Sequence, residues 1–221
     1  MVKVNEISFN TNMAQNVSTA KAQQPETSSI FSASQTQSEA LGEMEGLSIQ
    51  QTSQSSQAPL KRIDKHDKTI LANAPSSQIE VAGKKQNAAI VVDLSENRLY
   101  RYDKDGKAFE VYQVASGKKS SPTSTGLRKV SHIETYPYTE APAGTKRRKS
   151  PKAYGPKILI LTTIDPKTGK DLGSNGEFIH GNNNPASIGT YASHGCMRMD
   201  NDVITQLSKE VKPGSYVLIQ K

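Results

Sequence analysis

The chain carries one cysteine, Cys196, set in Ser193-His194-Gly195-Cys196. Two of its four histidines, His180 and His194, fall in the same stretch, residues 178–199 (FIHGNNNPASIGTYASHGCMRM). A thiol is a weak nucleophile until it loses its proton. A nearby imidazole can remove that proton and stabilise the thiolate as an ion pair. Gly195 lets the backbone approach a substrate carbonyl, and N–H groups at Gly195 and Cys196 could receive the oxyanion. If residues 193–199 are extended, His194, Cys196 and Arg198 share one face. His180 stands across a loop rich in Asn, Pro and Gly that could fold it back over the thiol. Spacing alone does not decide which imidazole serves. The residue types also leave two other readings. A lone cysteine is commonly a small buried apolar residue, and His180, His194 and Cys196 could form an open three-ligand metal site.

The elements that must position these residues are mostly strands. Residues 88–92 (AAIVV) read as a short buried strand, residues 95–97 as a turn, and residues 98–102 (RLYRY) as a half-buried strand. Asp105-Gly106 is a hairpin signal, with residues 109–115 (FEVYQVA) as the returning strand. Residues 158–163 (ILILTT) predict another buried strand, residues 177–180 a short one, and residues 216–220 (YVLIQ) a closing strand. One helix stands out, capped by Asp200, with Ile204, Leu207 and Val211 at helical spacing and Pro213-Gly214 as its stop. Many short strands with turn signals and one helix predict a mainly β domain.

Composition divides the chain. Residues 1–60 are Ser, Thr, Gln or Asn at 29 positions, with Phe9 and Phe31 their only aromatics. Such a segment cannot bury enough apolar area to offset chain entropy, so a disordered tail is expected. Residues 61–68 (KRIDKHDK) read as a charged linker, and the expected division is a tail and linker over 1–86 and a folded domain over 87–221. The formal charge of +7 is concentrated in the folded part, because the first 60 residues hold 2 Lys against 5 Glu. A basic domain favours anionic partners without choosing among them. Residues 136–157 form a polar loop holding Lys146-Arg147-Arg148-Lys149, either a solvated surface loop or a flap facing an anionic polymer. A single cysteine excludes an intrachain disulfide framework and any multi-cysteine zinc site. No apolar run approaches the roughly 18–20 residues of a membrane span, and mean hydropathy is −0.62. The first fifteen residues (MVKVNEISFNTNMAQ) lack the apolar stretch of a Sec signal.

Ser193-His194-Gly195-Cys196-Met197-Arg198, with His180-Gly181 upstream and residues 183–189 (NNPASIG) between, resembles the signature of the L,D-transpeptidase catalytic domain, the YkuD-type family. Residues 92–100 (VDLSENRLY) resemble that family's opening hairpin. Ala115-Ser116-Gly117 with residues 121–126 (SPTSTG) resembles its Pro-Thr-Pro-Thr-Gly stretch, Ser124 standing where the family often has Pro. Lys212-Pro213-Gly214 before a closing strand also fits. The resemblance covers roughly residues 87–221.

The resemblance implies a β-sandwich or barrel with one or two short helices. It makes Cys196 the nucleophile and His180 the proton donor and acceptor, with the Gly181 carbonyl orienting the imidazole. His194, Ser193 and Gly195 would support the site, and Arg198 would clamp a substrate carboxylate, its planar fork suiting bidentate pairing. The implied partners are peptidoglycan stem peptides rather than nucleic acid, and neither metal nor organic cofactor is needed. The implied chemistry is acyl transfer forming 3→3 cross-links, or hydrolysis or exchange of the terminal D-amino acid. The same domain could instead serve a secreted wall-targeting effector or a non-catalytic wall-binding module. The implied location is the bacterial cell envelope, the periplasm, or outside the cell. With no Sec signal visible, the expected route is a secretion machine reading the tail.

Overall fold

A computed structural model describes residues 61–221. The segment expected to be a disordered tail lies, over residues 1–60, outside the described residues. In chain order the elements are α1 (Lys68–Ala72), β1 (Gln78–Val81), β2 (Lys84–Asn87), β3 (Ile90–Asp93), β4 (Arg98–Tyr102), β5 (Ala108–Gln113), β6 (Ser116–Gly117), β7 (Gly126–Thr135), α2 (Lys146–Lys149), β8 (Lys157–Thr163), β9 (Ile179–His180), β10 (Tyr191–Ser193), β11 (Met197–Arg198), α3 (Asn201–Glu210) and β12 (Tyr216–Gln220). The domain is mainly β, as the turn-punctuated short strands predict. No helix among the described residues is long and apolar enough to cross a membrane.

Eight strands form one sheet in the order β11-β9-β8-β7-β12-β3-β4-β5. The sheet curls until its ends meet. Ala115, just past β5, and Arg198, in β11, exchange both backbone bonds, Ala115 N–H to Arg198 O at 2.9 Å and Arg198 N–H to Ala115 O at 2.8 Å. Closure removes the free edges that an open sheet would leave unpaired. Inside lies a core that includes Ile90, Val92, Leu99, Leu159, Leu161, Met197, Val217 and Ile219, closed over by Ile204 and Leu207 of α3. The helix presents these two residues at a spacing of three, one stripe of an amphipathic helix.

The outer face of β3 and β4 is also covered, which is why Ile90-Val91-Val92 does not alternate with polar residues. Val91, Tyr100, Tyr102 and Val111 form a second buried cluster under Ile63, Ile70 and Leu71. Residues 61–86, expected to belong to the tail and linker, therefore fold onto the sheet. Asp67 caps α1 through Thr69 and Ile70 N–H, and the β1–β2 hairpin buries Ile79 and Val81 against Leu127 and Ile164. Ile63, Ile70 and Leu71 stand among charges in the first part of this segment, a pattern too sparse to register as a periodic stripe.

The longest strand, β7, was not expected. Its alternation is broken by a bulge between Val130 and His132. Two of its buried side chains, Arg128 and Glu134, are charged. Glu134 is satisfied by Arg147 of α2, at 2.5 and 2.8 Å.

Candidate active site

β9 and β11 are parallel neighbours, with Ile179 opposite Met197 and His180 opposite Arg198. Met197 N–H donates to Phe178 O and Met199 N–H to His180 O, both at 2.8 Å. This pairing brings His180 beside the strand that follows Cys196. His180, His194, Cys196, Arg198, Tyr154 and Lys146 all line one cavity of about 500 Å³. The stretch 193–199 is not one continuous strand, because it breaks at Gly195, whose φ is +113°. Its burial still alternates: Ser193, Gly195, Met197 and Met199 face in, while His194, Cys196 and Arg198 face the cavity.

Ser193 braces the break. Its Oγ accepts Gly195 N–H at 3.1 Å and donates to Cys196 O at 2.6 Å. The Gly195 N–H, expected to help bind an oxyanion, is therefore spent inside the turn. Of the two expected donors, Cys196 N–H is the one left for that role. The φ at Gly195 lies in the left-handed region that favours glycine.

His180 is 3% exposed. Its Nδ1 lies 2.6 Å from Gly181 O. A carbonyl only accepts, so Nδ1 carries the proton and Nε2 is the basic nitrogen. The Tyr154 ring lies 4.7 Å from the imidazole, centroid to centroid, tilted by 43°. Burial pushes the His180 pKa down to about 4; the Gly181 carbonyl opposes this and the Arg198 charge adds to it. Burial also pushes the Cys196 thiol up, offset in part by a backbone bond from Phe178 and reinforced by the Glu177 carboxylate. Burial thus favours a neutral thiol and a neutral imidazole over the ion pair that the residue types suggest. Burial disfavours both charged forms, and a buried pair must repay that cost.

Arg198 is half-buried, and its Nε is buried with no hydrogen-bond partner among the described residues. A guanidinium on a cavity wall with an unpartnered nitrogen suits an anionic ligand. Within the 146–149 run the roles divide. Arg147 pairs with Glu134 and lies 5.5 Å over the Phe178 ring. Arg148 donates to the Thr139 and Ala141 carbonyls, and Lys146 lines the cavity. The three-ligand metal alternative is not assembled: among the described residues no group of three or more His, Cys, Asp or Glu is placed to hold a metal ion.

Several supporting residues were missed. Buried Thr123 accepts Gly117 N–H at 2.9 Å and donates to Gly195 O at 2.8 Å, tying residues 121–126 to the turn before the cysteine. Glu177 accepts from Ser124 N–H at 3.0 Å and Ser124 Oγ at 2.8 Å. A Pro at 124 could make neither bond, so the departure from the family pattern has a local partner. Asn201 Oδ1 accepts Asn182 N–H at 2.8 Å. Thr123 and Ser124 lay inside a stretch the resemblance singled out; Glu177 and Asn201 carried no comparable signal.

Residues 87–219 match the model of the L,D-transpeptidase catalytic domain, YkuD. The chain is 32% identical over 120 residues to the putative L,D-transpeptidase YqjB of Bacillus subtilis, covering 52% of this chain and 61% of that protein. It is 31% identical over 138 residues to the probable L,D-transpeptidase ErfK/SrfK of Escherichia coli, covering 59% of this chain and 43% of that one. It thus spans less than two thirds of either relative. Among solved structures, Bdellovibrio bacteriovorus Bd1075 matches with a TM-score of 0.47 at 19% identity, over 66% of this chain and 53% of that one. The catalytic domain of the E. faecium L,D-transpeptidase matches with a TM-score of 0.40 at 23% identity, over 61% and 98%. With the family match extending over more than half its length, the chain belongs to the L,D-transpeptidase catalytic domain family.

Proposed function

We propose that the chain is a peptidoglycan L,D-transpeptidase acting in the cell envelope, with Cys196 as nucleophile and His180 as proton donor and acceptor. The observation that carries this reading is the pairing of β9 with β11, which opens His180, Cys196 and Arg198 into one cavity. Arg198 and Lys146 give its walls positive charge, which suits a stem peptide rich in carboxylates.

Cys196 Sγ attacks the carbonyl of the third stem residue, the L-centre of a diamino acid, while its proton passes to His180 Nε2. The developing oxyanion is received by Cys196 N–H. The C–N bond to the terminal D-alanine breaks, and that amine leaves with the proton from Nε2, giving a thioester. An amine of a second stem then attacks the thioester and gives its proton to Nε2. The new amide forms a 3→3 cross-link, and the thiolate takes the proton back. Water in place of the amine gives carboxypeptidase activity, and a free D-amino acid gives exchange. The Gly181 carbonyl holds Nδ1–H throughout, which keeps Nε2 the basic nitrogen.

The test is to incubate the protein with defined tetrapeptide muropeptides and read product masses. Cross-linked dimer with loss of D-alanine is expected from the wild type and not from Cys196→Ala. A carbapenem should add one covalent mass to the wild type only. Turnover by Cys196→Ala would refute the assignment.

A further inference from the structure

Arg62 precedes the span that matches the family, residues 87–219, yet it reaches two places that flank the catalytic pair. Its Nε lies 2.6 Å from Asp200 Oδ2 and its Nη2 lies 3.1 Å from Oδ1, a fork-on-fork pairing. The same Nη2 donates to the Pro185 carbonyl at 2.6 Å. Pro185 belongs to the loop joining His180 to Cys196, and Asp200 is the cap residue of α3, two residues beyond Arg198.

The Asp200 carboxylate is diverted from its local task. A capping Asp ordinarily accepts an N–H of the first helical turn, worth about 1 kcal/mol. Asp200 makes no such bond and serves Arg62 instead. From this corner the contacts run on without a gap. Asn201 Oδ1 takes Asn182 N–H and lies so near Gly181 that a Cβ there would be 2.3 Å away. Gly181 O takes the Nδ1–H of His180, and Met199 N–H donates to His180 O. Close-packed contacts of this kind pass a displacement on, because no void absorbs it.

Arg62 is itself held in place. Ile63 N–H donates to Gln113 Oε1 at 3.2 Å and Val111 N–H to Lys65 O at 2.9 Å. Lys65 Nζ donates to Glu110 Oε1 at 3.0 Å. Ile63, Ile70 and Leu71 pack on the outer face of the sheet. The segment before the family domain thus forms a strap seated on β5, with one arginine extended to the catalytic loop.

We propose that Arg62 is a positioning residue for His180, acting through Asp200, Asn201 and Gly181. The proposal rests on the reading of Cys196 and His180 as the reacting pair.

The experiment compares wild type, Arg62→Ala, Arg62→Lys and Ile70→Ala in the full chain. Ile70→Ala loosens the strap without touching Asp200 or Pro185. Turnover of a stem tetrapeptide, carbapenem acylation, the urea midpoint and the ¹⁵N shifts of the His180 ring are measured for each. Arg62→Ala should lose about 10-fold in kcat and acylation rate with KM within about 2-fold, as expected for lost orientation rather than lost binding. Arg62→Lys, which keeps a charge but not the fork, should fall between. Ile70→Ala should lower the urea midpoint and keep kcat. The His180 nitrogens should leave the single Nδ1–H tautomer in Arg62→Ala only. If Arg62→Ala does not fold, Asp200→Asn carries the same comparison. Equal kcat losses in Arg62→Ala and Ile70→Ala, or wild-type kcat and nitrogen shifts in Arg62→Ala, would overturn the proposal. A wild type that is neither acylated nor active would instead refute the catalytic pair, and the nitrogen shifts would still decide the role of Arg62.

Discussion

Acidification probes the buried imidazole directly. A histidine in an unfolded chain titrates near 6.5, whereas burial holds His180 down to about 4. Between those values the unfolded chain binds a proton that the folded chain refuses. Stability due to His180 is therefore complete above about pH 6.5 and falls as the pH drops toward 4. At about 1.36 kcal/mol per pH unit, the loss approaches about 3 kcal/mol across the window, a large share of a typical domain's 5–15 kcal/mol. The assay is urea unfolding from pH 4.5 to 8 on the wild type and on His180→Gln, whose difference removes the other titrating groups. The wild type should weaken with acid by about 2–3 kcal/mol more than the variant. Acylation by a carbapenem should keep its rate down to about pH 5, because Nε2 stays unprotonated. A ring that titrates near 6.5 by NMR, or one that is imidazolium at pH 7 beside a thiolate, would refute the reasoning.

Other outcomes are expected on the same grounds. Gly181→Ala places a Cβ 2.3 Å from Asn201 Oδ1 and 2.9 Å from Pro156 Cδ, so it should cost about 1–3 kcal/mol in urea unfolding and slow acylation. Thr123→Val strands Gly117 N–H and Gly195 O, at about 1–3 kcal/mol for a buried group left unpaired; Thr123→Ser should restore both stability and turnover. Removing residues 61–86 uncovers Val91, Tyr100, Tyr102 and Val111, so a chain starting at 87 should unfold at lower urea than one starting at 61. His180→Ala should lose more rate than His194→Ala, because His180 is buried and held by Gly181 while His194 is exposed; the reverse order would reassign the base.

What could be read from the sequence was whatever is local. The helix at 201–210 announced itself through Ile204, Leu207 and its stop, strands β3, β8 and β12 through compact apolar runs, β4 through alternation and β5 through the hairpin signal before it. β7 stayed hidden because two of its buried side chains, Arg128 and Glu134, are charged and find their partners Glu177 and Arg147 only in the fold. The strap of residues 61–72 was hidden for the opposite reason: its docking residues are few among many charges. At the candidate site, a short motif singled out Cys196, His180 and Arg198, which line one cavity. Asn201, Glu177 and Arg62 were not, because their meaning depends on which backbone group lies opposite them after folding. The burial that disfavours charge on the thiol and on the imidazole was equally out of reach, since residue types carry no information about burial. The capping role read for Asp200 was half right: it occupies the cap position and gives its carboxylate to Arg62.

The parallel pairing of β9 with β11 separates two jobs that motifs usually confound. His180 and the strand that begins just after Cys196 are neighbouring backbones, whose spacing of about 4.8 Å is fixed by the ladder. The intervening stretch, with its Asn and Pro residues, lies outside that ladder. The loop is anchored separately, by buried Ile188, by Gly189 N–H on Val114 O and by Ser116 N–H on Thr190 O. Changes in the loop that spare its anchored carbonyls and buried residues therefore leave the pairing of Ile179 with Met197 and of His180 with Arg198 in register.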